Sequence, residues 1–180
     1  MTALHDHVLK VADLVGRPGA SRRLDLVLGV PPDLGLEAAT IAEPVRLTGV
    51  LESVVDGILV RGTLAAHVVV ACARCLTEVQ TTLETDVAEL YSDPDHLPPD
   101  VDTADLEDGY LLQQEAVDLD PLLRDSLVPA VPVQAHCRPD CAGLCPNCGV
   151  DRNEAACDCT DEQQDLRWSA LRDLHMPEAN

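Results

Sequence analysis

The feature that most constrains the fold is a long alternation of apolar and polar residues. Residues 58–70 place an apolar or small side chain at every second position, and the same period of two occurs in residues 24–28, 45–51 and 77–90. Successive side chains of a strand point to opposite faces, so this period is typical of strands with one buried face. We therefore predict an antiparallel sheet that buries one of its two sides.

Glycines within and between these segments shape the predicted sheet. The Asp56-Gly57 pair separates two of the segments and is a turn signal. Gly49 and Gly62 lie inside the alternating pattern, where glycine indicates a bulge or sharp curvature. The predicted fold class is α+β, with an antiparallel, curved or barrel-like sheet, one or two packed helices and a small cysteine-rich zinc module.

Helical spacing occurs twice in the second half of the chain. The first helix has Asp118 as its predicted cap and Pro121 in its first turn, and Pro129 and Pro132 end it. A more polar C-terminal helix is predicted over residues 161–174. The side chains that the first helix would turn toward the sheet are Leu119, Leu122, Leu123, Ser126 and Leu127.

The chain is strongly acidic, with 32 acidic residues, 12 basic residues and a formal net charge of -20. Residues 84–120 hold 13 of the acids and no lysine or arginine, and residues 92–108 are predicted to form a solvated acidic loop. Such a surface repels phosphate backbones, which argues against broad contact with naked nucleic acid. A basic protein, or RNA already coated by one, is compatible with this charge.

The composition also divides the chain and indicates its compartment. We predict a β-rich domain over residues 1–132 and a zinc module with a C-terminal helix over residues 133–180. Residues 1–14 contain no apolar signal core, and no run without charge is longer than that of residues 62–73, which is too short to span a bilayer. A cytoplasmic location follows, and in that reducing compartment closely spaced cysteines indicate metal binding rather than disulfides.

The eight cysteines are closely spaced within their groups. They read Cys72-x2-Cys75, then Cys137-x3-Cys141-x3-Cys145-x2-Cys148, then Cys157-x-Cys159. The strongest element is the Cys-Pro-Asn-Cys-Gly sequence of residues 145–149, a turn that lets both thiolates face one ion. Its glycine supplies the backbone freedom that brings amide donors toward sulfur. Structural zinc is therefore predicted, with one or two ions per chain. An iron–sulfur cluster uses similar ligands and stays open as an alternative.

Cys72 and Cys75 have strand-like sequence on both sides, which places them at a hairpin tip. Thioredoxin-like catalysis needs this motif at the start of a helix, so a zinc knuckle is the favoured interpretation. Two partitions of the cysteines stay open. In one, this pair shares an ion with two of Cys137, Cys141 and His136, and the remaining four cysteines form a second site. In the other, a single site lies within the zinc module and the pair is free.

Arg17, Arg22 and Arg23 form the one basic cluster of the sequence. Solvation is the ordinary role of such residues, and contact with RNA phosphates or with an acidic patch is the functional alternative. The sequence contains no glycine-rich phosphate loop, no Gly-x-Ser-x-Gly motif and no paired catalytic carboxylates on periodic elements. We predict no catalytic residue and no small-molecule substrate.

Several of these motifs together resemble the bacterial YceD family. The resemblance rests on Gly16-Arg17-Pro18-Gly19, Arg22-Arg23-Leu24, Cys72-x-Arg74-Cys75-Leu76 and the cysteine run of residues 141–149. The Cys157-x-Cys159 end is similar to the Gram-positive and actinobacterial form of the family. The resemblance extends over most of the chain, roughly from residue 10 to residue 160.

This resemblance implies a non-enzymatic role in the accumulation of large-subunit ribosomal RNA, through its synthesis, processing or stability. Some members of the family lack most of the second cysteine cluster, which implies that zinc there serves stability. Combined with the acidic charge, the hypothesis is an adaptor that contacts a ribosomal protein or a pre-ribosomal particle, with residues 84–120 as a candidate contact. The alternative hypothesis is a thiol redox or metal-handling protein that uses Cys72 and Cys75.

Overall fold

The computed structural model of the chain describes residues 7–31, 34, 36, 39–97 and 110–159. In chain order its elements are β1 (Val8–Lys10), β2 (Ser21–Leu28), β3 (Ala39–Val54), β4 (Gly57–Ala71), β5 (Glu78–Ser92), a 3-10 turn (Pro94–His96), β6 (Ala116–Asp118) and α1 (Asp120–Ala130). The main sheet has the order β2-β3-β4-β5 and is antiparallel throughout. Strands β1 and β6 form a separate antiparallel pair. The predicted α+β class is confirmed.

One face of the main sheet is apolar and buried, as the alternation predicts. Val54 pairs with Gly57, so the turn signal at Asp56 and Gly57 does join two long strands into a hairpin. The inward positions of β3, β4 and β5 form one continuous core with side chains of α1. The fully buried side chains of this core include Leu47, Leu51, Ile58, Val60, Leu64 and Tyr91.

Helix α1 packs against β5 and covers part of the buried face. Its N-cap residue is Leu119 and not the predicted Asp118. The Asp118 carboxylate nevertheless accepts a hydrogen bond from the N–H of Asp120 at 3.0 Å. Pro129 lies inside the helix rather than ending it, because the helix continues to Ala130. A proline this close to the end interrupts only the last turn. The buried side chains of α1 are Leu122, Leu123 and Leu127.

The main sheet is open rather than closed into a barrel, because β2 and β5 are its two edges in the described part of the chain. Gly49 and Gly62 oppose each other in β3 and β4, and a Cβ at Gly49 would lie 2.0 Å from the carbonyl oxygen of Arg61. The glycines therefore permit a close approach of two backbones. The bulge expected at them is wrong, because the register shift of this ladder lies between Ala42 and Arg46.

Two predicted segments fall wholly or largely outside the described residues. These are the helix over residues 161–174 and the acidic loop over residues 92–108, of which the described part comprises the end of β5 and the 3-10 turn. The division of the chain at residue 132 stays a prediction. Within the described ranges, no helix combines the length and apolar character needed to cross a membrane.

Candidate metal centres

The eight cysteines gather into two groups of four. The first tetrad is Cys72, Cys75, Cys137 and Cys141, and the second tetrad is Cys145, Cys148, Cys157 and Cys159. Within each tetrad the four Sγ atoms lie within 4.8 Å of one another. Four thiolates around one tetrahedral ion at about 2.3 Å are separated by about 3.8 Å. Both tetrads are therefore positioned to bind a metal ion.

The structure selects the first of the two predicted partitions. Cys72 and Cys75 lie in the connection between β4 and β5, and they meet Cys137 and Cys141 rather than His136. The Sγ atoms of Cys75 and Cys137 are 3.6 Å apart, and those of Cys72 and Cys141 are 3.9 Å apart. The first tetrad thus draws ligands from both sides of residue 132.

The hairpin tip that carries Cys72 and Cys75 is residues 72–77, which we call the knuckle. The N–H of Cys72 donates to the carbonyl of Thr77 at 2.8 Å, which continues the β4–β5 ladder by one step. The N–H of Leu76 donates a hydrogen bond to the carbonyl of Cys72 at 3.0 Å, and Leu76 has a φ of 61°. This reversal brings the two thiols of the knuckle to one side, as the hairpin-tip prediction requires.

Arg74 fastens the knuckle to the cysteine-rich segment. Its guanidinium donates to the carbonyls of Cys141 at 2.9 Å and Pro139 at 3.4 Å, and its own carbonyl accepts the N–H of Leu144 at 2.9 Å. Gly143 has a φ of 73°, and a Cβ there would lie 3.0 Å from the carbonyl oxygen of Arg74. Sequence reasoning named Arg74 only as part of a motif, and its place between two ligands was the available signal.

The second tetrad is built on the turn that the Cys-Pro-Asn-Cys-Gly sequence predicts. Gly149 has a φ of 75°, a conformation that glycine adopts without a Cβ clash, and its N–H donates to the carbonyl of Cys145 at 2.9 Å. The N–H of Cys145 donates in turn to the carbonyl of Val150 at 2.8 Å. The positive φ is the backbone freedom that the sequence predicts for this glycine.

Asn153 connects the two tetrads, although it lies between two ligands of the second. Its side-chain N–H donates to Sγ of Cys141, in the first tetrad, at 3.4 Å. Its side-chain oxygen accepts from the N–H of Ala142 at 2.8 Å and from the guanidinium of Arg138 at 2.5 Å. Asp151 fixes Asn153 by accepting its backbone N–H at 2.8 Å. Nothing in the local sequence distinguishes this asparagine, and sequence reasoning missed it.

The thiols of the first tetrad ionise unequally. Hydrogen bonds from the backbone N–H groups of Cys75 and Arg74 lower the pKa of Cys72 to about 6. Burial raises the pKa of Cys141, but hydrogen bonds from the Asn153 side chain and the Gly143 N–H outweigh it and lower the pKa overall. Desolvation of its sulfur by neighbouring atoms, together with hydrogen bonds shared with the neighbouring sulfurs, raises the pKa of Cys137 to about 12, although the residue as a whole is exposed.

The second tetrad shows the same division. The backbone N–H groups of Cys148 and Asn147 lower the pKa of Cys145 to about 6. Hydrogen bonding to the sulfur of Cys148, followed by desolvation of its own sulfur, raises the pKa of Cys159 to about 12, although the residue as a whole is exposed. Amide N–H groups therefore stabilise two thiolates of the first tetrad and one of the second, and in each tetrad another cysteine with a raised pKa keeps its proton. A divalent ion would replace that proton and satisfy all four thiolates together.

The predicted arginine cluster is not a single patch in space. Arg22 forms an ion pair with Asp13 at 2.8 Å and donates to the carbonyl of Lys10, and Arg17 donates to the carbonyl of Asp13 at 3.2 Å. Arg23 is the next residue of β2 after Arg22, so its exposed side chain points to the other face of the sheet. Contact of these three arginines with a partner stays a prediction.

Fold and site together define a class of protein: an open antiparallel sheet whose hairpin tip completes one of two four-cysteine groups positioned to bind a metal ion. The chain belongs to the YceD family. The family model described as "Large ribosomal RNA subunit accumulation protein YceD" matches residues 60–175, which include all eight cysteines.

The relatives found among curated proteins are mycobacterial. Uncharacterized proteins of Mycobacterium bovis and Mycobacterium tuberculosis are each 37% identical over 172 residues, which cover 94% of this chain and 82% of the relative. An uncharacterized protein of Mycobacterium leprae is 32% identical over 145 residues, which cover 79% of this chain and 66% of the relative. No solved structure matches the chain. These relatives agree with the predicted actinobacterial form of the family.

Proposed function

We propose that this chain is a non-enzymatic ribosome-biogenesis factor that supports the synthesis, processing or stability of large-subunit ribosomal RNA. The observation that carries the proposal is membership of the YceD family over residues 60–175. The net charge of -20 supports an adaptor role, because a surface of this charge attracts basic proteins and repels bare phosphate backbones. The proposed partner is therefore a ribosomal protein or a pre-ribosomal particle.

We further propose that each tetrad holds one zinc ion in a structural role. Four thiolates close the tetrahedral shell and leave no position for a substrate, which is typical of structural rather than catalytic zinc. The sulfurs of each tetrad lie within 4.8 Å of one another, a span that suits one ion. An iron–sulfur cluster places several irons and sulfides between its cysteines and needs them farther apart.

Metal analysis of the purified chain tests this assignment. We expect two zinc ions per chain and no absorption in the visible range, because zinc has a filled d shell. Iron bound at either tetrad would give a coloured protein with thiolate-to-iron charge-transfer bands and would contradict the zinc assignment. Cys75→Ser and Cys148→Ser, one in each tetrad, should each remove one zinc ion from the count.

Sedimentation of a native lysate in a sucrose gradient, with and without ribonuclease, tests the ribosomal role. We expect the chain to migrate with large-subunit precursors and to leave those fractions after ribonuclease treatment. A chain that stays at the top of the gradient in both samples contradicts stable association with the particle. Substitution of Arg17, Arg22 and Arg23 by alanine then asks whether those residues contribute to association, and unchanged migration would exclude them.

The second candidate function is thiol redox or metal handling through Cys72 and Cys75. The observation that favours it is the hydrogen bond from the N–H of Arg74 to Sγ of Cys72 at 3.5 Å, which with the N–H of Cys75 lowers the pKa of Cys72 and favours the thiolate. Titration of the zinc-loaded chain with a thiol reagent separates the two functions. Rapid reaction of the knuckle thiols with zinc bound would support redox chemistry, and protection of both thiols would support a structural knuckle.

A further inference from the structure

Strand β5 forms one edge of the main sheet, and its register shows which of its backbone groups are free. The N–H of Cys72 bonds to the carbonyl of Thr77, and the β4–β5 ladder then runs without a shift until Gly57 pairs with Ser92. In an antiparallel pair, residues that bond to the partner strand alternate with residues whose N–H and C=O groups point away. Thr77 is a bonded position. The backbone N–H and C=O groups of odd-numbered residues of β5 therefore point toward β4, and those of even-numbered residues point away from it.

Seven residues of β5 thus present both backbone groups along a free edge of about 40 Å. All seven are exposed, and among the described residues no other backbone group hydrogen-bonds to them. We call this row the free edge. It consists of Glu78, Gln80, Thr82, Glu84, Asp86, Ala88 and Leu90.

One end of β5 shows that this edge accepts another extended segment. The N–H of Ser92 donates to the carbonyl of Tyr110 at 2.9 Å, and the carbonyl of Ser92 accepts the N–H of Leu112 at 2.9 Å. Ser92 and Leu111 are paired in parallel. Ser92 is the next even-numbered position after the free edge, so the same kind of backbone pairing can continue along the row. The edge is therefore geometrically competent for strand addition.

The side chains of β5 decide which strand can be added. Glu78, Glu84, Asp86 and Glu89 make the strand acidic, and it contains no lysine or arginine. Two copies of this edge would bring like charges together, which opposes pairing of the chain with itself. A phosphate backbone is repelled for the same reason. A basic extended protein segment gains both the backbone hydrogen bonds and the charge pairs.

We propose that the free edge of β5 binds a lysine- or arginine-rich segment of a protein partner as an added β-strand. This inference deepens the proposed adaptor function and rests on it for the partner's class, because it names the surface that takes a basic protein. The strand's backbone groups supply the affinity, and the acidic side chains select for basic residues at alternate positions of the added strand.

Amide hydrogen exchange followed by NMR, on the full zinc-loaded chain, tests the proposal. The probe is a peptide of about twelve residues in which lysine and valine alternate. At saturation we expect exchange of the free-edge amides of Gln80, Thr82, Glu84 and Asp86 to slow by about tenfold or more, because they become hydrogen-bonded. The odd-numbered amides, already bonded to β4, should change little. This alternation is specific to strand addition.

Control peptides and variants separate backbone pairing from charge. The same peptide N-methylated at every second residue keeps its charge and should lose the protection. Thr82→Pro removes one outward N–H and should weaken binding by about tenfold, whereas Thr82→Ala keeps that N–H and should bind as the native chain does. Glu84→Gln should weaken binding more than Asp56→Asn, which removes one exposed charge from the β3–β4 turn.

Three results would overturn the proposal. These are failure of the peptide to bind, binding that protects no even-numbered amide, and dimerisation of the chain through β5. Should Thr82→Pro fold poorly, Glu84→Gln and the N-methylated peptide still decide the matter. Sedimentation with large-subunit precursors is scored separately. If the chain migrates with the particles but does not bind the peptide, the proposed function stands and the strand-addition proposal is wrong.

Discussion

The two tetrads have the same ligands and nearly the same thiol electrostatics, yet they differ in how the fold supports them. In the first tetrad Cys72, Cys75 and Cys141 are buried, and in the second only Cys145 is. The first is fixed to the β4–β5 hairpin through the knuckle and Arg74, whereas the second rests on local turns of its own segment. The difference indicates that the first tetrad unfolds together with the sheet, whereas the second stabilises only the last part of the described chain.

The largest effect that follows from this comparison is expected for Cys141→Ser. The variant removes a buried ligand that joins the knuckle to the cysteine-rich segment. Loss of the metal should therefore also break the contact between the knuckle and that segment. We expect the thermal midpoint to fall by about 10 °C or more, measured by calorimetry. Cys159→Ser removes an exposed ligand of the second tetrad and should lower the midpoint by less than half as much. Equal shifts for the two variants would contradict the comparison.

Metal removal should distinguish the tetrads kinetically. A chelator added to the zinc-loaded chain is expected to extract metal in two phases, with rates that differ by about tenfold, because the second tetrad has two exposed cysteines and one half-buried one, whereas the first has a single exposed cysteine. The release is followed with a coloured zinc indicator. The Cys159→Ser chain should lack the fast phase and keep the slow one. A single phase that accounts for both ions would show that the two centres open together.

Asn153→Ala tests whether the second segment supports the first centre. The change removes the hydrogen bond to Sγ of Cys141 and the acceptor for the Ala142 N–H. We therefore expect the free energy of unfolding to fall by about 1–2 kcal/mol. The slow phase of metal release should accelerate, although Asn153 lies between ligands of the second tetrad. Glu154→Ala, at an exposed neighbouring position, is the matched control. If only the fast phase changed in Asn153→Ala, the connection between the tetrads would be excluded.

The smallest effect is expected for a variant in the sheet, away from both tetrads, and it serves as the reference for the larger ones. Tyr91 is buried and its hydroxyl donates to the carbonyl of Asp118 at 2.7 Å, so Tyr91→Phe should cost about 1 kcal/mol at neutral pH with both zinc ions retained. Burial raises the pKa of Tyr91 well above its ordinary value near 10. Stability contributed by the neutral phenol is therefore fully present below pH 10 and lost as the pH rises further.

Denaturant titrations of the native and Tyr91→Phe chains between about pH 8 and pH 11 measure this dependence. The stability of the native chain should fall toward that of the variant above pH 10, because ionisation favours the unfolded state only when the phenol is present. A difference between the two chains that stays constant over this range would contradict the assigned cause. Zinc loss from the variant would mean that the sheet and the first tetrad are more tightly coupled than we infer.

Much of the local structure was predictable from the sequence. The strands follow the period of two, Asp56 and Gly57 form the expected turn, and the knuckle lies at a hairpin tip because strand-like sequence flanks it. The Cys-Pro-Asn-Cys-Gly turn adopts the backbone that its glycine allows. Each of these features depends on residues close together in the chain, where spacing alone fixes the geometry.

Other features were missed or predicted wrongly. Strands β1 and β6 are three residues each and carry no usable period, so their pairing was missed. Arg22 and Arg23 are neighbours in sequence, but strand alternation sends them to opposite faces. Pro129 does not end α1, because it is tolerated in the last turn, but the helix does end at Ala130, before Pro132. Of these, the β1–β6 pairing depends on segments far apart in the chain, whereas the two other errors misjudged local geometry, namely strand alternation and the tolerance of a last helical turn for proline.

The sequence by itself determined the antiparallel hairpins, the acidic surface, the spacing of the thiols and the resemblance to the YceD family. Only the tertiary structure decided which cysteines share a centre, which strand edge is free and how Asn153 joins the two tetrads. The physical reason is the range of the interactions. A turn or an alternating strand is set by neighbouring residues, but Cys72 meets Cys141 across 69 positions, and packing of the intervening chain decides that meeting.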